Sequence, residues 1–536
     1  MVDKVSSDVI GHDSPMDQRC RVYASISFAV ILLAIGLPLW WETTAVPRAK
    51  VPHAEIGQLK KLELAFQLRL YLGCIEPRRS EQLAMELLER LTESGQSEIL
   101  KMTVSHFATA NTSIARMTSI AELERASGRF EVGHGEILVL EASRQALGGL
   151  EVHVSSGRSV YFSSDADGDK IAQVLREWIY RQDSLRLTRD ALSRPAEFSL
   201  DVANRRRFPA SPSYDVLLTV VNPEPEDSRV DRDVSLVAQN YIEPFLEELS
   251  LVADFSVKSQ WLYLVPLGVR PRKVQNHYAL SEGLLPQIIT PLEKKLASQV
   301  SLHPTINLVA YMVPCSEAPL YIYDKNHVRA TKDPQFEAFH SPRWGGIALV
   351  NPPANFCDTA KEDRVLRPNE QVVVGVFLQH LRLLLGVPDK ESIEGAAIAP
   401  LRSLKPRDWE LDDLLRIRAV EQLTSAKLTL QSLSKLLKEI SNIVITEQVG
   451  RRISSALKLI HHATELLATG NLRDGFVASK QAFVTAEAAF SDPSLLALLY
   501  FPDDQKYAVY IPLFLPVMIP VLFSLKNIKN YLFCSD

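Results

Sequence analysis

The sequence predicts an α/β domain followed by a helical bundle, tethered by one transmembrane helix at each end. Three observations support this fold class. An uncharged apolar segment lies near each terminus. Between about residues 42 and 408, alternating strand patterns are interspersed with helical patterns. From Trp409 onward, apolar residues recur at the heptad spacing of packed helices.

Composition and charge narrow the class of protein. The chain has 536 residues, of which 46% are hydrophobic and 23% charged, as in ordinary globular proteins. The net charge of −5 and the lack of a long basic run argue against nucleic acid as a partner. Three of the five cysteines, Cys74, Cys315 and Cys357, lie in the long middle of the chain, so at most one intramolecular disulfide forms there. No CxxC motif or Cys/His cluster predicts a zinc site, and no cofactor is predicted.

The N-terminal apolar segment, residues 22–41, is predicted to be a transmembrane helix. It reads VYASISFAVILLAIGLPLWW and would span roughly 30 Å, the thickness of the hydrocarbon layer. Arg19 and Arg21 precede it, and Trp40 and Trp41 end it, as aromatic residues do at a membrane interface. A cleaved signal peptide is the alternative, but no small-x-small cleavage site follows. We predict an uncleaved anchor after a cytosolic tail, residues 1–21.

The C-terminal apolar segment, residues 507–525, is predicted to be the second transmembrane helix. Lys526 and Lys529 follow it, so the positive-inside rule places the tail 526–536 in the cytosol. Two spans then put both termini on one side of the membrane and residues 42–506 on the other. The sequon at Asn111 is a glycosylation candidate that fits this non-cytosolic location.

Three prolines, Pro512, Pro516 and Pro520, follow one another at four-residue spacing in the second segment. At about 100° per residue they share one stripe of a helix. Each removes a backbone N–H, and a carbonyl left unpaired in lipid costs several kcal/mol. One interpretation is a kinked helix that adjusts locally. The sharper hypothesis is a packing stripe that faces other transmembrane helices.

The middle of the chain alternates strands and helices. Predicted strands lie at 62–72, 99–108, 136–142, 213–221, 261–267, 305–313, 320–323 and 346–350. Predicted helices lie at 80–93, 113–126, 232–250 and 284–298. This order indicates βαβ units. Residues 42–408 therefore form one α/β region, or two subdomains with a boundary near 183–209.

Residues 409–506 are predicted to form the helical bundle. Leu423, Leu430 and Leu437 are spaced seven residues apart. The apolar residues at 419, 426, 433 and 440 occupy the other apolar heptad position of one long helix. Two further helices are predicted near 448–468 and 472–490, separated by Gly470 and Asn471.

Three features of the sequence are candidate functional sites. Asp165, Asp167 and Asp169 resemble the start of a calcium loop, but Lys170 and Arg176 occupy its Gly and Glu positions, which favours a helix cap. The segment FHSPRWGGI at 339–347 is either a structural turn or a partner-contact loop, with Arg343 and Trp344 as typical interface residues.

The third candidate is a thiol site. His340 with Cys315 or Cys357 is conceivable as the dyad of a stand-alone, membrane-tethered luminal thiol hydrolase, although no known nucleophile signature surrounds either cysteine.

Several stretches resemble the phosphatidylinositol glycan class S family of glycosylphosphatidylinositol (GPI) transamidase subunits. They are FHSPRWGGI, GLPLWWETT at 36–44, NYIEPFLEEL at 240–249, PLYIYDKN at 319–326, LLKEISNIVI at 436–445 and DPSLLALLYFPDDQKYAVYIPLFLP at 492–516. They occur in the family's order. Between about residues 75 and 200 little resemblance is recognisable.

The resemblance implies an endoplasmic reticulum membrane protein whose α/β luminal domain and helical bundle lie between two transmembrane helices. It implies a complex that removes a C-terminal signal from a proprotein and attaches a GPI lipid to the new C-terminus. In that family catalysis belongs to a different, caspase-like subunit, so no catalytic residue is carried over to this chain. The partners implied are the other transamidase subunits, membrane lipid and the proprotein substrate.

Overall fold

The computed structural model describes residues 14–44, 47–92, 99–109, 113–200, 202–231, 234–329, 331, 333–401, 405–440, 443–497 and 503–533. The chain divides into two compact units. The larger unit comprises Glu55–Thr429 and Ser455–Glu487. The smaller unit comprises Met1–Ala54, Leu430–Ser454 and Ala488–Asp536.

The regular elements are numbered in chain order. The strands are β1 (Phe66–Cys74), β2 (Leu100–Ala108), β3 (Glu136–Ala142), β4 (Val152–Val154), β5 (Ser159–Ser163), β6 (Ser213–Asn222), β7 (Arg229–Val230), β8 (Asp254–Tyr263), β9 (Arg272–Val274), β10 (His277–Ser281), β11 (Thr305–Met312), β12 (Leu320–Tyr323), β13 (Phe336–Ser341), β14 (Gly345–Val350), β15 (Val365–Leu366) and β16 (Ala396–Ile398). The helices are α1 (Pro15–Ile31), α2 (Leu37–Thr44), α3 (His53–Gln58), α4 (Pro77–Thr92), α5 (Ile120–Ser127), α6 (Gly168–Val174), α7 (Gln182–Ser193), α8 (Val202–Arg206), α9 (Val234–Val237), α10 (Glu243–Glu247), α11 (Leu285–Glu293), α12 (Glu370–Leu385), α13 (Asp408–Glu439), α14 (Glu447–Ala468), α15 (Leu472–Phe490), α16 (Ser494–Ala497) and α17 (Asp503–Phe533).

The first sheet of the larger unit has six strands in the order β16-β4-β5-β3-β1-β2. β1 pairs in parallel with β2 and β3, and α4 and α5 follow β1 and β2 in the chain, as in βαβ units. β1 alternates as its sequence predicts, because Phe66, Leu68, Leu70 and Leu72 are buried. The strand begins at Phe66 rather than at residue 62.

The second sheet has five strands in the order β13-β14-β11-β6-β8. β8, β6, β11 and β14 run parallel, and only β13 is antiparallel. The interior strand β6, which lies between β11 and β8, is buried along nearly its whole length, as expected for a parallel strand covered on both faces. Smaller sheets of three strands (β12-β10-β9) and two strands (β15-β7) accompany it.

Helical segments make up the C-terminal part of the described chain. In α13 the predicted heptad positions are buried: Ala419, Leu423, Ala426, Leu430, Leu433 and Leu437 are at most 1% exposed. Ile440 lies just past the end of the helix. Within the larger unit, the Ser479 hydroxyl of α15 donates a hydrogen bond to Gln422 of α13 at 2.9 Å. The heptad prediction of a helix packed on other helices is therefore confirmed.

The smaller unit contains the two apolar terminal helices. Residues 19–42 form one helix long and apolar enough to cross a membrane, with a π-helical stretch at 32–36 joining α1 and α2. In α17, the segments Ala508–Pro516 and Met518–Leu525 are long and apolar enough to cross a membrane only when they are taken together. Their axes meet at a bend of 52°. Pro520 cannot donate to the carbonyl of Pro516, which accounts for a bend at this point.

Several element boundaries differ from the sequence-based predictions. The strand expected at 261–267 is β8, Asp254–Tyr263. The helix expected at 232–250 is divided into α9, a π-helical stretch at 238–242 and α10. The helix expected at 113–126 begins as a 3₁₀ turn and becomes α-helical only at Ile120. The two larger sheets draw on residues 66–163 and 213–350, apart from β16, and the domain boundary near 183–209 stays a prediction.

Candidate functional site

Helix α13 carries an unusual set of buried charges in the larger unit. Six of its charged residues are at most 8% exposed: Glu410, Asp412, Asp413, Arg416, Arg418 and Glu421. Charged side chains are almost never buried to this extent unless they are paired. Sequence reasoning missed this cluster. The available signal was the charge-rich run WELDDLLRIRAVE at the start of an otherwise apolar heptad helix.

Asp412 is the most fully bonded member of this cluster. Its carboxylate accepts hydrogen bonds from Arg158 Nε at 2.6 Å, Arg158 Nη2 at 2.9 Å and the backbone N–H of Gly135 at 3.1 Å. His134 Nδ1 lies 2.8 Å from the same carboxylate. Burial alone would raise the pKa of Asp412, but the bonds from His134 and Arg158 hold it below its ordinary value. The ionised carboxylate thus connects α13 to the six-stranded sheet.

Further along α13, Arg418 and Glu421 form a second buried group with Arg207. The guanidinium of Arg418 donates to the carbonyls of Phe208 and Leu385, each at 2.8 Å, and to Glu421 at 2.9 Å. Glu421 also pairs with Arg207 at 2.5 Å. The buried charges of α13 are thus engaged inside the protein, which indicates a structural role.

The segment FHSPRWGGI forms the turn between β13 and β14, where Ser341 pairs with Gly345 and His340 with Gly346. Arg343 adopts a left-handed conformation with φ of 56° and its side chain is exposed. Trp344 is only 9% exposed and belongs to the core that also contains Val309 and Ile347. The burial of Trp344 favours the structural-turn interpretation at that residue, whereas the exposed Arg343 stays a candidate contact.

The two glycines of this turn allow close approaches that no other residue would. A Cβ on Gly345 would lie 1.9 Å from the carbonyl oxygen of Asn307, and a Cβ on Gly346 would lie 2.0 Å from Nδ1 of His380. Burial, together with the charge of His340, lowers the pKa of His380 to about 4, so this imidazole is neutral at pH 7. The turn is therefore tightly packed against β11 and α12.

Replacing Trp344 by alanine will destabilise the fold by about 3–5 kcal/mol, because the substitution leaves a cavity in the core. Replacing Arg343 by alanine will leave the folded yield unchanged, because alanine and arginine tolerate the left-handed conformation alike. The measurement is the yield of folded protein after purification, followed by recovery of associated proteins. If Arg343→Ala lowers the folded yield as much as Trp344→Ala does, Arg343 is a structural residue and not a contact.

The thiol hypothesis is contradicted by the structure. Cys315 and Cys357 form a disulfide with their Cα atoms 5.6 Å apart, so neither is available as a thiolate nucleophile. Cys74 is a buried free thiol, and burial together with the nearby Glu141 raises its pKa to about 11. Among the described residues, no group of three or more His, Cys, Asp or Glu side chains is arranged to hold a metal ion.

The acidic segment before α6 acts as a helix cap and in ion pairs. Asp167 is the N-cap residue and accepts a hydrogen bond from the backbone N–H of Lys170 at 2.8 Å. Asp165 pairs with Arg144, and Asp169 pairs with Arg90. This arrangement confirms the helix-cap interpretation. The glycosylation candidate Asn111 lies outside the described residues and stays a prediction.

Pro512, the first residue of the proline stripe, lies on the side of α17 away from its contacts with Trp40. Trp40 makes edge-on contacts with Tyr510 and Phe514, with ring centroids 5.8 and 6.0 Å apart. Pro512 follows Tyr510 by two residues and precedes Phe514 by two, so it lies about 200° around the helix from both. The side chains of Pro512, Pro516 and Pro520 are all exposed. The N-terminal helix therefore leaves this stripe uncovered.

Comparison with known proteins identifies the family. The family described as phosphatidylinositol-glycan biosynthesis class S protein matches residues 27–533. The chain belongs to this family. It is 35% identical to the rat and human proteins named GPI-anchor transamidase component PIGS, and each alignment covers 94% of both chains. A fission yeast protein named GPI transamidase component PIG-S homolog is 28% identical over 61% of this chain and 56% of its own length.

The class S match spans the features described above. Residues 27–533 include both larger sheets, the buried charges of α13, all of α17 and the later part of the N-terminal apolar helix. The segment 75–200, where no resemblance was recognised from the sequence, lies inside the matched range. It contains most of the six-stranded sheet.

Proposed function

We propose that this chain is a non-catalytic component of the GPI transamidase of the endoplasmic reticulum membrane. The observation that carries the proposal is its similarity, over 94% of the chain, to proteins named as components of that enzyme. The state of the cysteines supports a non-catalytic role. Cys315 and Cys357 are joined in a disulfide, and Cys74 is a buried thiol of raised pKa. A thiol chemistry would need a free, activated sulfur.

The proposed topology has two membrane passes and both termini in the cytosol. Residues 22–41 and 507–525 are the spans, and residues 1–21 and 526–536 are the cytosolic tails. The α/β region 42–408 and the helical region 409–506 lie in the lumen. The Cys315–Cys357 disulfide supports this orientation, because disulfides persist in oxidising compartments such as the lumen of the endoplasmic reticulum. A glycan on Asn111 would be compatible with the same side.

The proposed partners are the other transamidase subunits, including a caspase-like subunit that carries catalysis. Membrane lipid surrounds the two spans, and the proprotein substrate is a further candidate partner of the luminal part. Arg343 is the candidate contact residue of the luminal part because it is exposed at the tip of a tightly fixed turn. Within the membrane, the candidate contact is the proline stripe.

The proline stripe is proposed to pack against transmembrane helices of other subunits. Pro512, Pro516 and Pro520 are exposed, and Pro512 lies on the side of α17 opposite the contacts with Trp40. Prolines leave carbonyls without a helical partner, and such groups are tolerated in membranes where neighbouring protein surrounds them.

The proposed function is tested by a pull-down of the tagged chain from its own membranes in a gentle detergent. We expect a caspase-like protein and several multi-span proteins to co-purify with the wild-type chain. Replacing the three prolines by leucine straightens α17, so recovery of these partners should fall severalfold while the yield of the chain stays the same. Replacing Ile511 and Leu522 by valine, at exposed positions off the stripe on the same helix, is the matched control.

Recovery of the wild-type chain without other subunits would contradict the proposed function. Unchanged partner recovery with the proline variant would contradict only the packing stripe. The two results are distinguishable because the wild-type sample is measured in the same experiment.

A further inference from the structure

A cavity of about 380 Å³ opens between the six-stranded sheet and α5 in the larger unit. Its wall includes His153 of β4, Glu124 of α5, Ser156 after β4 and Asp408 at the start of α13. Ile120 and Pro400 contribute apolar surface. Small-molecule sites commonly have volumes of roughly 300–1,000 Å³ and combine apolar walls with a few polar groups.

His153 is the feature that distinguishes this cavity from an ordinary surface recess. The residue is only 5% exposed, and neither ring nitrogen has a hydrogen-bond partner among the described residues. Buried polar groups are nearly always bonded, so such a histidine calls for an explanation. Its ring stacks on Tyr161 at 6.5 Å, which fixes its plane against the sheet. Burial lowers the pKa of His153, so the imidazole is neutral and has one donor and one acceptor nitrogen, both without a partner among the described residues.

The charged residues of the cavity wall offer a ligand carboxylate acceptors rather than cationic donors. The two cations are already paired, because Lys405 binds Glu248 and Arg407 binds Glu410 and the carbonyl of Ala399. Glu124 makes no ion pair or side-chain hydrogen bond with the part of the chain that is described, and Asp408 has only a distant contact of 3.9 Å with Arg158. A ligand of this cavity must therefore present hydrogen-bond donors and carry no negative charge.

We infer that this cavity binds a carbohydrate residue or a similar hydroxyl-rich head group. Hydroxyl groups donate to the carboxylates of Glu124 and Asp408, and the buried imidazole of His153 lies in the wall beside them. The C–H face of a sugar ring packs on the apolar wall formed by Ile120 and Pro400. An amino sugar offers the same hydroxyls with one cationic amine that also suits Glu124. The site has this chemistry whether or not the chain acts in a transamidase.

The test is ligand-observed saturation-transfer NMR on the full chain in phosphatidylcholine nanodiscs. Nanodiscs are needed because alkyl-glycoside detergents would offer a competing sugar. The probes are mannose, glucosamine and ethanolamine at millimolar concentrations. We expect saturable signals from mannose and glucosamine. Signal from both sugars indicates recognition of hydroxyls, and a stronger signal from glucosamine indicates an added contribution from its amine.

Two variants locate the site. Glu124→Gln keeps the shape of the side chain but removes its charge, and Ala121→Trp fills the cavity from an exposed position. Each should weaken sugar binding by about tenfold or more, the loss expected for a hydrogen bond to a charged group or for steric blockage. Glu131→Gln, at an exposed glutamate outside the cavity, is the matched control and should bind as the wild type does. Melting temperatures of all variants verify folding.

Absence of a saturable signal from both sugars would overturn the inference, because the cavity would then hold water alone. Binding of ethanolamine without either sugar would overturn it as well, since the ligand class would be an amine. Sugar binding that neither Glu124→Gln nor Ala121→Trp weakens would place the site elsewhere and also overturn it.

Discussion

Replacing Asp412 by asparagine will lower the free energy of unfolding by about 3–5 kcal/mol, the cost of breaking a buried ion pair by removing one partner. Asparagine offers a single acceptor oxygen, whereas the carboxylate accepts bonds from Arg158 and Gly135 and pairs with His134. The guanidinium of Arg158 would be left largely uncompensated, because Asp408 is 3.9 Å away. Thermal unfolding of the purified chain in nanodiscs should show a drop of several degrees.

A double-mutant cycle tests the physical reason for this effect. Arg158→Met and Asp412→Leu should each cost at least a similar amount, and their combination should recover most of the loss, because no unpaired charge remains buried. Asp165→Asn is the matched control. Its pair with Arg144 is more than half exposed on both sides, so its loss should cost at most about 1 kcal/mol. Equal effects of Asp412→Asn and Asp165→Asn would contradict the account of α13.

The stability of the wild type and that of Asp412→Asn should depend differently on pH. Because the pKa of Asp412 is held below its ordinary value, its contribution to stability is present above the pKa of an unfolded aspartate, about 3.9. That contribution is lost as the pH falls further. The melting curves of the wild type and Asp412→Asn should therefore converge in acid and differ fully at neutral pH.

Replacing Cys315 and Cys357 by serine will lower the free energy of unfolding by roughly 4 kcal/mol. The disulfide closes a loop with a sequence separation of 42, and the chain-entropy relation gives this magnitude for a loop of that length. It joins the segments that follow β11 and β14, two strands that pair in parallel within the five-stranded sheet. Chemical reduction of the wild-type protein is the matched control and should lower its melting temperature to that of the variant. Identical melting of oxidised and reduced wild type would rule out this contribution.

Local sequence patterns predicted most of the secondary structure because their physical causes are local. The alternation of β1 and the heptad leucines of α13 each report a single buried face. The bounds predicted for β8 were wrong because this strand lies at a sheet edge. Exposed and half-buried residues are mixed there and give no apolar run. The helix expected at 232–250 is divided by a π-helical stretch that no periodicity reveals.

The interactions that define the candidate sites join distant parts of the chain, so local sequence patterns could not predict them. Asp412 and Arg158 are 254 residues apart, and the partners of Arg418 include a carbonyl 210 residues away. The residue type of Trp344 left a partner contact and a structural turn both open, because its burial depends on core residues from β11 that local sequence does not reveal. The cavity at His153 likewise appears only when β4, α5 and the start of α13 come together.

The most direct test of the central proposal is the anchoring of a GPI-linked reporter at the surface of cells from which this chain is removed and then restored. We predict that removal abolishes surface display of the reporter. The Cys315→Ser/Cys357→Ser variant should restore display in proportion to the amount of folded protein, because the proposed role needs no sulfur chemistry. Normal display without the chain would contradict its role as a component. Loss of display despite normal amounts of the folded variant would contradict the non-catalytic role.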